Sequence, residues 1–193
     1  MNRPLILASV SPRRKALLEQ VGLEIEVVPS RIEEVIRKDE PPRNYVLRMS
    51  REKAEVVAGR FYDRWVIGAD TVVVIDGEIL GKPEDSEEAR GMLTLLSGRE
   101  HWVLTGYAIA RRKGGAFLSD VLETRVRVKP LSPREINWYT RTGEPLGKAG
   151  AYAIQGVGSF MVEEIEGSYT NVVGLPVCQV LESLRAVGAI NLR

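Results

Sequence analysis

Trp65 to Ile75 is a nearly continuous apolar run that turns at Asp76-Gly77 into Glu78-Ile79-Leu80. An Asp-Gly pair between apolar runs is a strong hairpin signal, so the run is predicted to be a strand suited to full burial. One residue interrupts it. Asp70 stands inside Val66-Ile67-Gly68-Ala69-Asp70-Thr71-Val72-Val73-Val74, and a buried carboxylate needs a cation, a metal or several hydrogen-bond donors. Asp70 therefore reads either as a metal ligand or general base, or as a structural carboxylate at a strand end that accepts backbone N–H bonds.

A second constraint is Ser9-Val10-Ser11-Pro12-Arg13-Arg14, directly after the apolar run Pro4-Leu5-Ile6-Leu7-Ala8. Ser11 fits an N-cap, Pro12 the first helical position, and the apolar pattern from Lys15 to Val21 continues a helix that Gly22 can end. Arginines in a first turn face the positive end of the helix dipole. Arg13 and Arg14 make electrostatic sense there if an anion such as a phosphate joins them, with the Ser9 and Ser11 hydroxyls as further donors. The plainer alternative is a solvated first turn whose arginines point at water.

The 193 residues suit one domain, 1–193, long enough to bury a sizeable core and to form two lobes around a cleft. A formal net charge of +1 without a long basic run gives no electrostatic case for a nucleic-acid or membrane partner, so any bound anion must be met locally. The amino terminus lacks the apolar core of a signal peptide, and no stretch approaches a transmembrane length. Cys178, the single cysteine, excludes an internal disulfide and fits a reducing cytoplasm.

Along the chain the pattern is mixed α/β. Strands are predicted at Leu5–Ala8, Trp65–Ile75, Glu78–Leu80, His101–Arg111 and Leu118–Lys129, the last two joined through Gly114-Gly115. Helices are predicted at Ser11–Val21, Pro42–Arg60, Ser86–Leu96, Ser132–Tyr139 and Leu175–Val187. The second carries Val46, Met49, Lys53, Val56 and Val57 at helical spacing, and the fourth opens on the capping-box spacing of Ser132-Pro133-Arg134-Glu135 and closes at Gly143. Lys53 on an apolar stripe either snorkels to water or meets an anion at the edge of the core. Lys82, in Gly81-Lys82-Pro83, is by itself no more than a turn lysine.

The stretch from Gly143 to Gly158 is dense in glycine, which either lets backbone amides approach a ligand or builds an irregular loop. It lacks the P-loop spacing and hydroxyl, and Gly156-Val157-Gly158 lacks the third glycine of a dinucleotide fingerprint. One histidine and one cysteine exclude a structural zinc cluster and a zinc deaminase signature. His101 reads as a structural hydrogen-bonder, and Trp65, Trp102 and Trp138 as core or rim packing with no stacking platform.

Taken in order, Ser9-x-Ser11-Pro12-Arg13-Arg14, Glu33-Glu34, Arg51-Glu52-Lys53-Ala54, Gly68-Ala69-Asp70-Thr71, Leu80-Gly81-Lys82-Pro83 and Ser97-Gly98-x-x-His101-x-Val103-x-Thr105-Gly106 form a pattern. Lys148-Ala149-Gly150-Ala151-Tyr152-x-Ile154-Gln155-Gly156 and Gly167-Ser168-Tyr169-x-Asn171-Val172-Val173-Gly174-Leu175-Pro176 continue it. The set resembles the Maf family of nucleoside triphosphate pyrophosphatases over nearly the whole chain. The resemblance implies an α/β fold: an elongated mixed sheet flanked by helices, two lobes around a deep cleft, similar to the inosine triphosphate pyrophosphatase fold. It implies hydrolysis of a nucleoside triphosphate between the α and β phosphates to a monophosphate and pyrophosphate, as nucleotide-pool house-cleaning in the cytoplasm.

Carried onto this sequence, the resemblance sets the phosphates against Ser9, Arg13, Arg14, Lys53 and Lys82. It assigns a divalent metal, magnesium or manganese, to Glu33 and Asp70, with Asp70 also taking the proton of the attacking water. Arg13, Thr71 and Gln155 match the branch that hydrolyses dTTP and UTP, modified uridine triphosphates included. The branch acting on 7-methyl-GTP tends to carry tryptophan in place of the first arginine. The resemblance leaves a homodimer open, and the family name is also linked to inhibition of septum formation, which a nucleotide-sensing regulator could serve. A sensor would need the arginines and lysines but not Asp70 with Glu33.

Overall fold

The computed structural model describes residues 4–191, so the ends of the single domain expected over 1–193 lie outside the described residues. Leu5–Leu7 forms β1, and Ser11 caps helix α1, Pro12–Gln20, its hydroxyl accepting from the Arg14 N–H and Pro12 standing in the first turn. Gly22, at φ +81°, turns the chain out of the helix. Then follow β2, Ile25–Val27; α2, Pro42–Ala58; β3, Val66–Ile75; β4, Glu78–Leu80; and α3, Ser86–Leu96. Asp76 and Gly77, at φ +52° and +85°, make the turn between β3 and β4 with positive φ at both central residues, as a tight hairpin requires. The remaining elements are β5, Glu100–Arg111; β6, Ala116–Val128; α4, Pro133–Arg141; β7, Val162–Glu166; α5, Tyr169–Val173; and α6, Val177–Ala186.

The strands make a mixed seven-stranded sheet in the order β2-β1-β3-β5-β6-β7, with β4 paired to β3. β1 runs parallel to β2 and to β3, whereas β3–β4 and β6–β7 are antiparallel. The fold is thus α/β with helices around a mixed sheet.

Three elements were not expected from sequence. β2 spans a single apolar-polar-apolar alternation, α5 is too short for a helical period, and β7 (Val162-Glu163-Glu164-Ile165-Glu166) is strongly acidic. Opposite it on β6, Arg125 and Arg127 face Glu166 and Glu164 and form ion pairs with them, while Val126 faces Ile165. The last helix starts at Val177 where Leu175 was expected, because Pro176 disfavours a helical conformation in the residue before it. On α2, Val46, Met49, Lys53 and Val57 are buried as the stripe predicts, but Val56 is 46% exposed.

The chain divides into two compact units. The first comprises the described residues up to Asp70, Thr105–Leu122, and those from Gly174 onward. Its core gathers Ile6 and Ala8 near β1, Ala54 and Val57 of α2, Val66 of β3 and Ala108 of β5. The second comprises Thr71–Leu104 and Glu123–Val173 and packs Val73, Ile75, Leu93, Leu96, Val126, Tyr139 and Met161 among others.

Within the first unit, two glycines let α2 lie unusually close to the sheet. A Cβ on Gly68 of β3 would stand 2.2 Å from the Ser50 carbonyl oxygen and 2.7 Å from the Ala54 nitrogen, and one on Gly106 of β5 would stand 2.2 Å from the Val46 carbonyl oxygen. These obstacles are backbone atoms, which cannot swing aside. Gly68→Ala is therefore expected to cost about 1–3 kcal/mol or more by overpacking, read as a lowered urea midpoint at unchanged m-value.

Candidate active site

Side chains on a strand alternate faces, so Gly68 and Asp70 share the face of β3 that meets α2. Gly68 touches Ser50 and Ala54, and Lys53 lies on the same helical face, one turn from Ser50. The close approach brings the Lys53 ammonium onto Asp70, with Nζ 2.5 Å from Oδ1. Lys53 and Asp70 are 5% and 6% exposed, so each charge is out of water and needs the other. Lys53 also donates to Glu34 Oε1 at 2.6 Å. Of the two sequence alternatives for Lys53, snorkelling is excluded: the anions it meets are carboxylates of the protein itself. Asp70 sits within β3 and takes its bond from a cation, so the alternative of a strand-end carboxylate capped by backbone N–H groups does not describe it.

The carboxylate that reaches this pair is Glu34, which like Glu33 is exposed. Both lie in the irregular segment between β2 and α2, which is tied to α2 by Arg48. The Arg48 guanidinium donates to both oxygens of Glu40 at 2.6 Å, to the Val35 carbonyl at 2.9 Å and to Glu52 at 3.4 Å. The bond to Val35 fixes the backbone one residue beyond Glu34. Sequence reasoning left Glu34, Glu40 and Arg48 without roles. The one available signal was Arg48 preceding Lys53 on the same helix, beside the acidic segment.

Arg14 is buried, although its place in the first turn of α1 suggested a cation facing solvent or ligand. Its Nε donates to the Gly174 carbonyl at 2.8 Å, and Nη1 donates to Ser9 Oγ at 3.0 Å and to the Ala69 carbonyl at 2.9 Å. Ser9 Oγ also accepts the Ser11 N–H at 3.2 Å. Burial pushes the Arg14 pKa down and the charge of neighbouring Arg13 adds to this, while the negative charges of Asp70 and Glu34 oppose it. The internal carbonyls and carboxylates thus supply part of the compensation expected from an external anion. Arg13 is half-buried beside it. In this unit, then, Ser9, Arg13, Arg14, Lys53 and Asp70 converge through hydrogen bonds, an ion pair or mutual charge, joined by Glu34.

The second unit holds Thr71, half-buried, and Lys82 and Gln155, both exposed. Lys82 stands beside a residue held by the glycine-rich stretch: the Gly150 N–H donates to the Gly81 carbonyl at 3.0 Å. Gly150 has φ +68°, and a Cβ there would press into Val73 at 2.8 Å, so only glycine lets this stretch reach β3. Gln155 lies between two short 3-10 turns, Ala149–Ala151 and Val157–Met161.

His101 is structural, as expected. Its Nε2 lies 2.7 Å from the Tyr152 hydroxyl, the rings meet edge to face, and burial pushes the imidazole down to about 4, so it is neutral at neutral pH. Trp65 is buried under Arg111, whereas Trp102 and Trp138 are half exposed, Trp138 packing edge to face on Phe160.

The Maf-like protein family model matches residues 4–187. The chain belongs to the Maf family. Relatives named dTTP/UTP pyrophosphatase include one from Syntrophus aciditrophicus, 50% identical over 99% of this chain and 93% of its own, and one from an Anaeromyxobacter species, 54% identical over 95% and 89%. A third, from Geobacter sulfurreducens, is 50% identical over 96% of this chain and 97% of its own. Among solved structures, the Staphylococcus aureus Ham1 protein is similar over 65% of this Maf chain and 72% of its own, at 11% identity and a TM-score of 0.46.

Proposed function

We propose that this Maf protein is a nucleoside triphosphate pyrophosphatase that hydrolyses dTTP and UTP to the monophosphate and pyrophosphate. The observation that supports it best is the near-complete coverage by relatives of that name at 50–54% identity. The buried Asp70–Lys53 pair, with Glu34 on its solvent side, agrees with it. A carboxylate buried against a lysine and tied to two further charged groups is expensive to maintain for stability alone.

In this reading Arg13, Arg14 and Lys82 meet the triphosphate, with Ser9 orienting the Arg14 guanidinium through its hydroxyl. Asp70 accepts the proton of the attacking water, and Lys53, held by Glu34 and Asp70, stabilises charge developing on the phosphoanhydride. Among the described residues no group of three or more His, Cys, Asp or Glu side chains is arranged to hold a metal ion. Magnesium is typically bound by one or two carboxylates together with substrate phosphates. Asp70 and Glu33 are the residues we assign to it. When bound, such a cation polarises phosphate oxygens and lowers the pKa of coordinated water.

Gln155 offers an amide donor and acceptor for the O4 and N3–H of uracil or thymine, with Thr71 small enough to leave room for the ring. Cytosine presents a donor where an acceptor is needed. The expected result of incubating the protein with a nucleotide panel and magnesium or manganese is pyrophosphate release from dTTP and UTP at least about tenfold above CTP and the purine triphosphates in kcat/KM. Chelation is expected to abolish it. A preference for 7-methyl-GTP would overturn the assignment of the base, and no pyrophosphate from any triphosphate would overturn the activity. Among the described residues no helix is long and apolar enough to cross a membrane, and the free Cys178 fits the cytoplasm, where we place the enzyme.

A further inference from the structure

Glu144 has no part in the chemistry just described, yet its carboxylate accepts three hydrogen bonds within the second unit. Its Oε1 accepts the Tyr139 hydroxyl at 2.9 Å and the Gly158 N–H at 2.8 Å, and its Oε2 accepts the Val157 N–H at 2.9 Å. Tyr139, fully buried on α4, also takes the Ala153 N–H on its hydroxyl oxygen at 3.3 Å. Glu144 is itself held to the end of α4: its N–H donates to Thr142 Oγ1 at 3.1 Å, and that hydroxyl donates to the Tyr139 carbonyl at 2.6 Å. A line of hydrogen bonds therefore runs from the helix to the carboxylate and on to the loop.

The loop is shaped around this pair. Gly156 has φ +84°, and a Cβ on it would stand 2.6 Å from Glu144 Oε2; a Cβ on Gly158 would stand 2.6 Å from the Tyr139 hydroxyl and 2.5 Å from the Ala153 carbonyl. Residues 153, 157 and 158 are thus anchored on one buried tyrosine and one carboxylate. Gln155 lies midway between the anchors, its own side chain exposed. A loop fixed on both sides of one residue presents that residue in a defined place, whereas an exposed glutamine on a slack, glycine-rich loop would sample many.

We propose that Glu144, with Tyr139, is a positioning residue for Gln155 and so sets base selectivity without touching substrate. The proposal rests on the reading of Gln155 as the residue that recognises the base. Charge matters to it, because an ionised carboxylate can accept all three bonds, whereas an amide would turn an N–H₂ toward groups that are themselves donors. Burial alone would raise the Glu144 pKa, but the bonds from Gly158, Val157 and Tyr139 bring it below the usual carboxylate value, so the carboxylate stays ionised at neutral pH.

The test measures kcat and KM for dTTP and CTP in Glu144→Gln, Tyr139→Phe, Gln155→Ala and the double variant Glu144→Gln/Gln155→Ala, each checked by thermal melting. Glu144→Gln is expected to raise KM for dTTP about tenfold and to bring the dTTP-over-CTP ratio of kcat/KM from at least about ten toward unity, with kcat within about twofold. Tyr139→Phe should shift the ratio the same way to a smaller extent, and it decides the matter if the glutamate variant fails to fold. Adding Glu144→Gln to Gln155→Ala should change the ratio no further, as expected of a residue acting through another. If Gln155→Ala lowers the ratio while Glu144→Gln and Tyr139→Phe leave it intact, positioning is refuted and base reading by Gln155 stands. If Gln155→Ala itself leaves the ratio intact, the base reading has failed and the proposal falls with it.

Discussion

Asp70→Asn is expected to lower kcat by about 10²- to 10⁴-fold, the usual worth of a positioned general base, while leaving the protein folded. The amide is nearly isosteric but cannot take a proton from water. Removing one partner of a buried ion pair often costs about 3–5 kcal/mol. Here the loss should be smaller, because Lys53 keeps the Glu34 carboxylate at 2.6 Å and Asn can still turn an oxygen toward Nζ. Pyrophosphate release at saturating metal and dTTP, set beside circular dichroism and a melting curve, separates the two effects. A variant that turns over at near the parental rate would show Asp70 to be a structural partner of Lys53 and nothing more.

Arg14→Ala is expected to lower kcat/KM by about 10- to 1,000-fold, as for other lost phosphate contacts, and to destabilise the protein as well. The Ala69 and Gly174 carbonyls each lose a buried donor, at about 1–3 kcal/mol for each group that water cannot reach. Asp70 and Glu34 also lose a neighbouring positive charge. Lys82→Ala should behave differently: Lys82 is exposed, so its loss should fall on kcat/KM with a melting temperature close to that of the parent. Urea unfolding of both variants, read against their kinetics, checks the contrast. Equal stability for the two would contradict the structural role of Arg14, and unchanged kinetics in both would contradict the assignment of these cations to the triphosphate.

Much of the fold was legible because its signals are local. The N-cap at Ser11, the Asp76-Gly77 turn, the bounds of α3 and the capping box at Ser132 follow from chemistry within a few residues. β7 was not legible, since its partners lie about 40 residues away on β6 and its own residues carry no apolar alternation. The site divides in the same way. A carboxylate inside an apolar strand announced Asp70, and a lysine on an apolar stripe announced Lys53, but that each is the other's partner depends on how closely α2 approaches β3. Choosing between Glu33 and Glu34 depended on the course of an irregular segment that contacts with α2, those of Arg48 among them, define. The burial of Arg14 was not legible, because the carbonyls that hold it lie 55 and 160 residues away in sequence.

The contact of α2 with the sheet through Gly68 and Gly106 also bears on how such a chain can change over generations. Main-chain atoms resting on main-chain atoms set the height of the helix above β3 and β5. Exchanges among Val, Ile, Leu and Met elsewhere in that core alter local fit but leave those two resting points where they are. The reach of Lys53 to Asp70 is thereby insulated from the drift of the apolar side chains around it. The corresponding vulnerability is concentrated in two positions where the smallest addition, one methyl group, is the most damaging.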